Sequence, residues 1–390
     1  MNDQDIVIVG AARTPIAKLL GGLSTIPATE LGAHAIKAAL GTIDPHLVDA
    51  VIMGQVLQAG VGQNPAKQAA LGAGISPTAH TTTVNKVCLS GLSAAIDATR
   101  MLKLGEAHVV VAGGMENMSQ APHLLNGSRR GTKYGATTLL DHMEHDGLSD
   151  AALGISMGEL TENHIEHYPV SADDRDFWAV SSHERAHKAW ETGEFDNEVV
   201  AIETKKATIT RDEGIRPGLT LADIRALRPA FKPHGVLSAA HASQISDGAA
   251  AVVLTTREMA TKHGWKILAV VGAPGQTAGP DSSLQHQPAT AIKQALERQG
   301  WHSHELDLVE INEAFADVTA YSAALLEISV DIVNPHGGAL ALGHPIGASG
   351  ARLLVHASHQ IAQHKATKAA VALCGGGGQG EALLIYADNQ

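Results

Sequence analysis

Aromatic side chains are scarce, making up 3% of the 390 residues. A core built almost without them is filled by Ala, Val, Leu and Ile, with glycines allowing close backbone approach, which favours a layered α/β protein over an all-β one. Cysteine is scarcer still: the chain has 2, Cys88 and Cys374. A disulfide-stapled scaffold is thereby excluded, and each thiol is either a small inert hydrophobe or a chemical group. Basic residues are in deficit, 28 against 40 acidic, for a formal charge of −12. Nucleic acid and anionic membrane reward a basic face, so neither is expected as a partner. No apolar run approaches the roughly 20 residues that span a bilayer. Met1-Asn2-Asp3-Gln4-Asp5 is acidic where a targeting peptide would be basic, and Tyr386-Ala387-Asp388-Asn389-Gln390 carries no peroxisomal address. The expected location is the cytoplasm, with both thiols reduced.

What is present suffices for a large core and two or three domains: 44% of residues are hydrophobic and 17% charged. Apolar, strand-like runs at 6–10, 51–53, 81–84 and 108–114 alternate with helical patterns at 29–40, 65–71 and 89–104. This alternation predicts a mainly parallel sheet with helices on its faces. The last third repeats the order. Residues 306–313 align with 48–55, Ser349-Gly350 aligns with Ser90-Gly91, and a later apolar run ends in glycines in both copies, at Gly113-Gly114 and Gly375-Gly376. Two similar halves follow: residues 1–118, completed by 242–264 where helix and strand resume, and residues 265–390. Between them, residues 119–241 form a polar, His-rich insertion with a helix near 171–192; insertions of that length are commonly functional. From 200 to 234 it holds seven Lys or Arg against four acids, a solvated face or a seat for an anionic ligand.

Cys88 lies where a strand gives way to a helix. The free N–H groups and dipole of a helix start favour negative charge, so a thiol there is expected to lose its proton more readily and to serve as a nucleophile. His344, in Gly343-His344-Pro345, holds the matching place before the second helix. If the halves pack about a pseudo-twofold, the two helix starts face one another. Cys374 ends a strand and is followed by Gly375-Gly376-Gly377-Gly378-Gln379-Gly380. That run contains a dinucleotide-like glycine pattern, but a strand follows it instead of the helix such a fingerprint must open. A zinc site from Cys88, Cys374 and His344 lacks paired short spacings.

Val87-Cys88-Leu89-Ser90-Gly91, Gly113-Gly114-Met115-Glu116-Asn117-Met118-Ser119, Asn312-Glu313-Ala314-Phe315-Ala316, Gly343-His344-Pro345 and Cys374-Gly375-Gly376-Gly377-Gly378 occur in one order along the chain. In these motifs the sequence resembles the thiolases over essentially its full length. The resemblance implies a five-layered αβαβα fold of two halves, a loop domain binding coenzyme A, and a homo-oligomer, tetramer or dimer. It implies that Cys88 is acylated, that His344 activates it, and that Cys374 exchanges a proton with the α-carbon of the second acetyl group. Asn312 is similar to the residue that holds an oxyanion-hole water, and the N–H groups of Cys88 and Gly376 match a second oxyanion hole. For coenzyme A the resemblance points to Leu148, Met157, Arg216, Phe231, Ser243 and Phe315. The substrates implied are acetyl-CoA, acetoacetyl-CoA and CoA, with no separate cofactor and no metal. Residues 188–195 look most like acetoacetyl-CoA thiolases. Departures from the common patterns at Ser156, at Ser238-Ala239-Ala240-His241 and at residues 279–283 bear on acyl-chain length. A broader 3-ketoacyl-CoA thiolase and a non-catalytic acyl-CoA or lipid binder are the alternatives; a decarboxylating ketoacyl synthase uses His or Asn where Cys374 stands.

Overall fold

A computed structural model describes residues 2–388, and in it the duplicated pattern becomes two copies of one sheet. The first half contains β1 (Ile6–Arg13), β2 (Ala50–Gly54), β3 (His80–Val84), β4 (Val109–Asn117) and β5 (Ser246–Thr256), ordered β1-β5-β4-β2-β3. The second contains β6 (Ala269–Ala278), β7 (Leu308–Ile311), β8 (Lys368–Gly375) and β9 (Gln379–Tyr386), ordered β6-β9-β8-β7, with Val333 bridging Val309 in the fifth place. Equivalent neighbours run in the same sense. β1/β5 and β6/β9 are antiparallel, β5/β4 and β9/β8 antiparallel, β4/β2 and β8/β7 parallel.

The sheet is therefore mixed, and the mainly parallel arrangement predicted from the alternation is incorrect. In each half the last strand arrives without a helical crossover: β9 through the tight glycine turn after β8, β5 from the long insertion. Strands joined that way pair antiparallel. Two residue pairs, Val7 opposite Val270 and Ile8 opposite Ala269, join the halves into one path of nine strands.

Alternation along the strands sorts the side chains into layers. Ile6, Ile8, Val110 and Ala112 of one half, with Ala369, Val371 and Leu373 of the other, face a shared middle layer made by α3 (Ser90–Lys103) and α8 (Ser349–Ala362). Val7, Val9, Val109 and Val111 face α1 (Ala28–Leu40) and α2 (Pro65–Gly72) on one outside. Ala370, Ala372 and Leu384 face α6 (Gln287–Gln299) and α7 (Ala316–Leu326) on the other. The result is five layers, αβαβα. Leu92, Ile96, Leu353 and Leu354 in the middle layer are fully buried, each such side chain contributing roughly 1.5–3 kcal/mol.

The middle helices meet at their N-termini, where only glycine fits. A Cβ on Gly91 would stand 2.9 Å from the Gly347 carbonyl oxygen, and one on Gly350 would stand 2.6 Å from the Leu92 nitrogen. The insertion between β4 and β5 holds α4 (Met157–Asn163), α5 (Ala172–Glu191) and three two-stranded ribbons. It is tied to the second half by Arg175, bidentate to Asp317 at 2.7 Å. Only a short 3₁₀ turn, Ala239–His241, precedes β5, which opens at Ser246, and the helix of this stretch, Arg257–His263, follows the strand. No helix among the described residues is long and apolar enough to cross a membrane.

Candidate active site

Cys88 sits in the five-residue link between β3 and α3, and that link is strained. Val87 has φ 51°, a left-handed conformation that β-branched residues rarely adopt. Local hydrogen bonds impose it: Val87 donates its N–H to Asn85 Oδ1 at 3.1 Å, Ser90 donates its hydroxyl to the Val87 carbonyl at 2.6 Å, and Lys86 donates its N–H to Ser90 Oγ at 2.8 Å. The turn presents the thiol towards the start of α8. There His344 Nε2 lies 3.3 Å from Cys88 Sγ. The other ring nitrogen, Nδ1, lies 2.5 Å from Ser349 Oγ. Asn312 Nδ2 approaches His344 Nε2 at 3.5 Å. Cys374, at the end of β8, lines the same cavity as Cys88 and His344. The N–H groups of Gly376 and of Cys88 itself favour negative charge on the Cys88 sulfur.

Glu116 locks these parts together. This fully buried carboxylate accepts N–H groups from Val56 and Leu57 at 3.0 Å and from Gly347 at 2.9 Å, tying β4 and the 56–57 loop to the turn that carries His344. Burial pushes its carboxyl up to about 7 despite those three donors.

The electrostatics correct one expectation. The helix start was expected to ease loss of the Cys88 proton, but burial dominates and pushes the thiol up to about 12, against the opposing pull of the Gly376 N–H. Desolvation of a charged sulfur inside the cavity outweighs the dipole of a helix end, although Cys88 as a whole is only half-buried. Cys374 is raised above the usual thiol range, first by burial and then by Cys88. His344 is pushed down to about 4, first by burial and then by Arg352. The resting site thus holds two neutral thiols and a neutral imidazole.

The cavity, about 410 Å³, is mainly apolar. Of the residues the resemblance assigns to coenzyme A, Leu148, Met157, Phe231, Ser243 and Phe315 line it. Met157 donates its N–H to the Leu148 carbonyl at 2.9 Å, and Ser243 donates to that of Ala314 at 3.0 Å, so backbone pairing sets three of these walls. Phe231 and Phe315 meet edge to face, 5.7 Å between centroids. The Phe231 loop is pinned by Glu162, whose carboxylate accepts the Leu237 N–H at 2.7 Å, and Gly158 makes room for the Phe231 ring, 2.0 Å from where a Cβ would be.

Arg216 is exposed and does not line this cavity; its backbone N–H reaches His183 Nδ1 at 3.0 Å. Other members of the basic stretch have structural partners. Arg225 pairs with Asp173 and Asp176, and Arg211 pairs with Glu191 and covers Trp190. Of the departures, Ser156 lines the cavity and caps α4 by accepting the Glu159 N–H at 3.1 Å, and Ala239 lines it too. Among the described residues, no three His, Cys, Asp or Glu side chains are grouped to hold a metal ion.

Sequence reasoning assigned no role to Val87, Glu116, Ser349 or Arg352. Val87 and Glu116 lie inside the family motifs and Ser349 in the repeated Ser-Gly pair; their contribution is a backbone angle, backbone-to-carboxylate contacts and a ring contact, which residue type alone does not reveal.

Five αβαβα layers around a cysteine, a histidine and a second thiol, all meeting where two helix starts touch, define a thiol-dependent acyl-transfer enzyme. The family model for the thiolase N-terminal domain matches residues 6–258, and that for the thiolase C-terminal domain matches residues 265–387. The chain belongs to the thiolase family. It is 49% identical to a probable acetyl-CoA acetyltransferase of Mycobacterium tuberculosis, over 98% of this chain and 99% of the relative. It is 43% identical to the acetyl-CoA acetyltransferase of Cupriavidus necator, with the same coverage, 98% and 99%. A probable acetyl-CoA acyltransferase of Staphylococcus epidermidis is 44% identical over 97% of this chain and 98% of the relative.

Proposed function

We propose that this thiolase catalyses the reversible condensation of two acetyl-CoA to acetoacetyl-CoA and CoA through an acetyl-Cys88 intermediate. The observation that carries the reading is the contact between His344 Nε2 and Cys88 Sγ, 3.3 Å apart, in a cavity that Cys374 also lines. His344 takes the Cys88 proton as sulfur attacks the thioester carbonyl. The oxyanion is stabilised by hydrogen-bond donors, each well-placed one worth roughly 3 kcal/mol. Collapse expels the CoA sulfur, which takes the proton from His344, and leaves acetyl-Cys88.

The Cys374 thiol then passes its proton to the freed His344, and the resulting thiolate takes an α-proton from the second acetyl-CoA. Its carbanion attacks the acetyl carbonyl, and the Cys88 sulfur departs and takes the proton held by His344, so the starting forms are restored. Acetylation prepares this step. The charge that Cys88 would place against Cys374 disappears once Cys88 is acetylated, and a thiol raised by burial is a stronger base towards a weakly acidic carbon.

In this reading Asn312 holds the water of one oxyanion hole, and the N–H groups of Cys88 and Gly376 form the other. Leu148, Met157, Phe231, Ser243 and Phe315 line the pantetheine path, Arg216 meets a phosphate outside the cavity, and residues 119–241 act as the coenzyme A domain. The enzyme works in the cytoplasm as a homotetramer or homodimer, with CoA thioesters as substrates and no separate cofactor.

A broader 3-ketoacyl-CoA thiolase is the second reading, favoured by the small Ser156 and Ala239 in the cavity wall. Mass spectrometry after incubation with acetyl-CoA tests the first: an acetyl group on Cys88 is expected, and its absence would favour a non-catalytic binder. Thiolysis kinetics separate the two enzymes, since a kcat/KM higher for long-chain 3-ketoacyl-CoA than for acetoacetyl-CoA overturns the acetyl preference.

A further inference from the structure

The two N–H groups that the chemistry above sets on one oxyanion come from different halves of the chain. Cys88 lies in the link between β3 and α3, and Gly376 lies in the glycine turn between β8 and β9. The backbone pairing of the halves, at Val7 and Ile8, involves neither turn. A salt bridge does span them. Lys86, two residues before Cys88, reaches Oε1 of Glu381 with its Nζ at 2.6 Å. Glu381 stands on β9, opposite Leu373 of β8 and next to the pairing of Cys374 with Gly380. Its carboxylate is fully buried and takes two further donors: Gln276 of β6 gives an Nε2–H to Oε1 at 2.6 Å, and Ser93 of α3 gives its hydroxyl to Oε2 at 2.6 Å. Arg100, also on α3, holds Gln276 in turn, Nη2 to Oε1 at 2.7 Å.

Beside the ion pair the two turns are in contact. Val87 Cγ1 lies 3.5 Å from where a Cβ on Gly376 would be, and a Cβ on Gly375 would stand 2.6 Å from Leu89 Cγ. Val87, with its φ of 51°, follows Lys86 directly, so the hold on Lys86 bears on the strained residue that presents the thiol. A buried carboxylate loses its hydration, and an ion pair at best offsets that loss, so stability alone is a weak reason for it. We propose that Lys86 and Glu381 are positioning residues: their ion pair fixes the Cys88 turn of one half against the Gly376 turn of the other, and so sets the spacing of the two N–H groups that receive the thioester oxyanion. A donor misplaced by about 1 Å costs on the order of a hundredfold in rate.

The inference rests on the reading of Cys88 as the acyl carrier, and its test compares two reactions of that thiol in the full-length enzyme. Acetylation by acetyl-CoA passes through an oxyanion. Alkylation by iodoacetamide forms the S–C bond as iodide leaves a saturated carbon and the thiol proton goes to His344, with no oxyanion to stabilise. Rapid-quench mass spectrometry of the Cys88 peptide follows both. In Glu381→Gln, an isostere that strands no buried charge, acetylation is expected to slow about a hundredfold while alkylation changes by less than about threefold. Lys86→Met is expected to show the same split, the double variant to lose no more than either single one, and Lys86→Arg, which keeps the charge, to recover most of the acetylation rate. Alkylation slowed as much as acetylation would mean a general loosening of the turn and overturns the proposal, as do losses that add in the double variant. Where Glu381→Gln does not fold, Lys86→Met, altered at a partly exposed side chain, decides. A wild type whose Cys88 is alkylated but never acetylated overturns the acyl-carrier reading and the proposal with it; a wild type acetylated no faster than the variants overturns the role of the ion pair alone.

Discussion

Ser349 Oγ stands 2.5 Å from Nδ1 of His344 and gives its own proton to the Pro345 carbonyl, 3.0 Å away. A hydroxyl has one proton to donate, so the proton in the ring contact belongs to Nδ1, and Nε2 faces Cys88 with its lone pair. Ser349→Ala removes the acceptor that fixes this tautomer. The expected outcome is a fall of about a hundredfold in the rate of Cys88 acetylation, with thermal stability and KM little changed. Rapid-quench mass spectrometry of the acetyl-enzyme measures it, and an undiminished rate would show that the tautomer is set elsewhere.

Cys374 and Cys88 line one cavity but carry separable steps. Cys374→Ser keeps the nucleophile, its histidine and the Gly376 N–H, and replaces the second thiol by a hydroxyl, a far weaker base towards carbon. Exchange of labelled CoA into acetyl-CoA, which needs only the first half of the cycle, is expected to stay within about tenfold of the wild type, while condensation and thiolysis fall by about a thousandfold or more. Equal losses in both assays would remove Cys374 from the carbon chemistry.

The duplicated halves were legible because each copy repeats its strands and glycines at matching positions, and Cys88 and His344 stood out by holding equivalent places before equivalent helices. The sense of the strands was not legible, because β5 and β9 are placed by what comes before them, and a local apolar run does not encode its neighbour. Nor was the proton affinity of Cys88. Its place at a helix start can be read from the sequence, but the depth of the cavity depends on residues as distant as Leu148 and Phe315. Arg352 showed no signal at all, since an arginine on an α-helix reads as a solvated residue until the sheet is laid against it.

Phe231, from the insertion, and Phe315, which follows β7, meet in the apolar wall of the cavity, and Gly158 lets the first ring seat fully. An edge-to-face pair adds about 0.5–1.5 kcal/mol beyond the area it buries. Phe231→Ala is expected to raise KM for CoA thioesters about tenfold and to change kcat by less than about threefold, because it removes binding shared by ground and transition states. Steady-state kinetics at saturating second substrate would show the split; a loss confined to kcat would place the ring in the chemistry instead.

Far from the thiols, Arg13 binds Glu198 and Asp212 at 2.7 Å each and carries the insertion on the first strand. Burial alone would raise the Glu198 carboxyl, but His356 and Arg13 more than offset it and hold the group down to about 2, against 4.5 for an ordinary glutamate. Between those values the unfolded chain binds the extra proton, so stability rises with pH; it is fully present above about 4.5 and is lost as pH falls through 2. Glu198→Gln is therefore expected to lower unfolding free energy at neutral pH by about 3 kcal/mol, and the gap to the wild type is expected to narrow as pH is lowered. Urea unfolding at steps from about pH 7 to pH 3 follows that gap. A constant difference across the range would mean that the carboxylate contributes packing and hydrogen bonds alone, with no part for its charge.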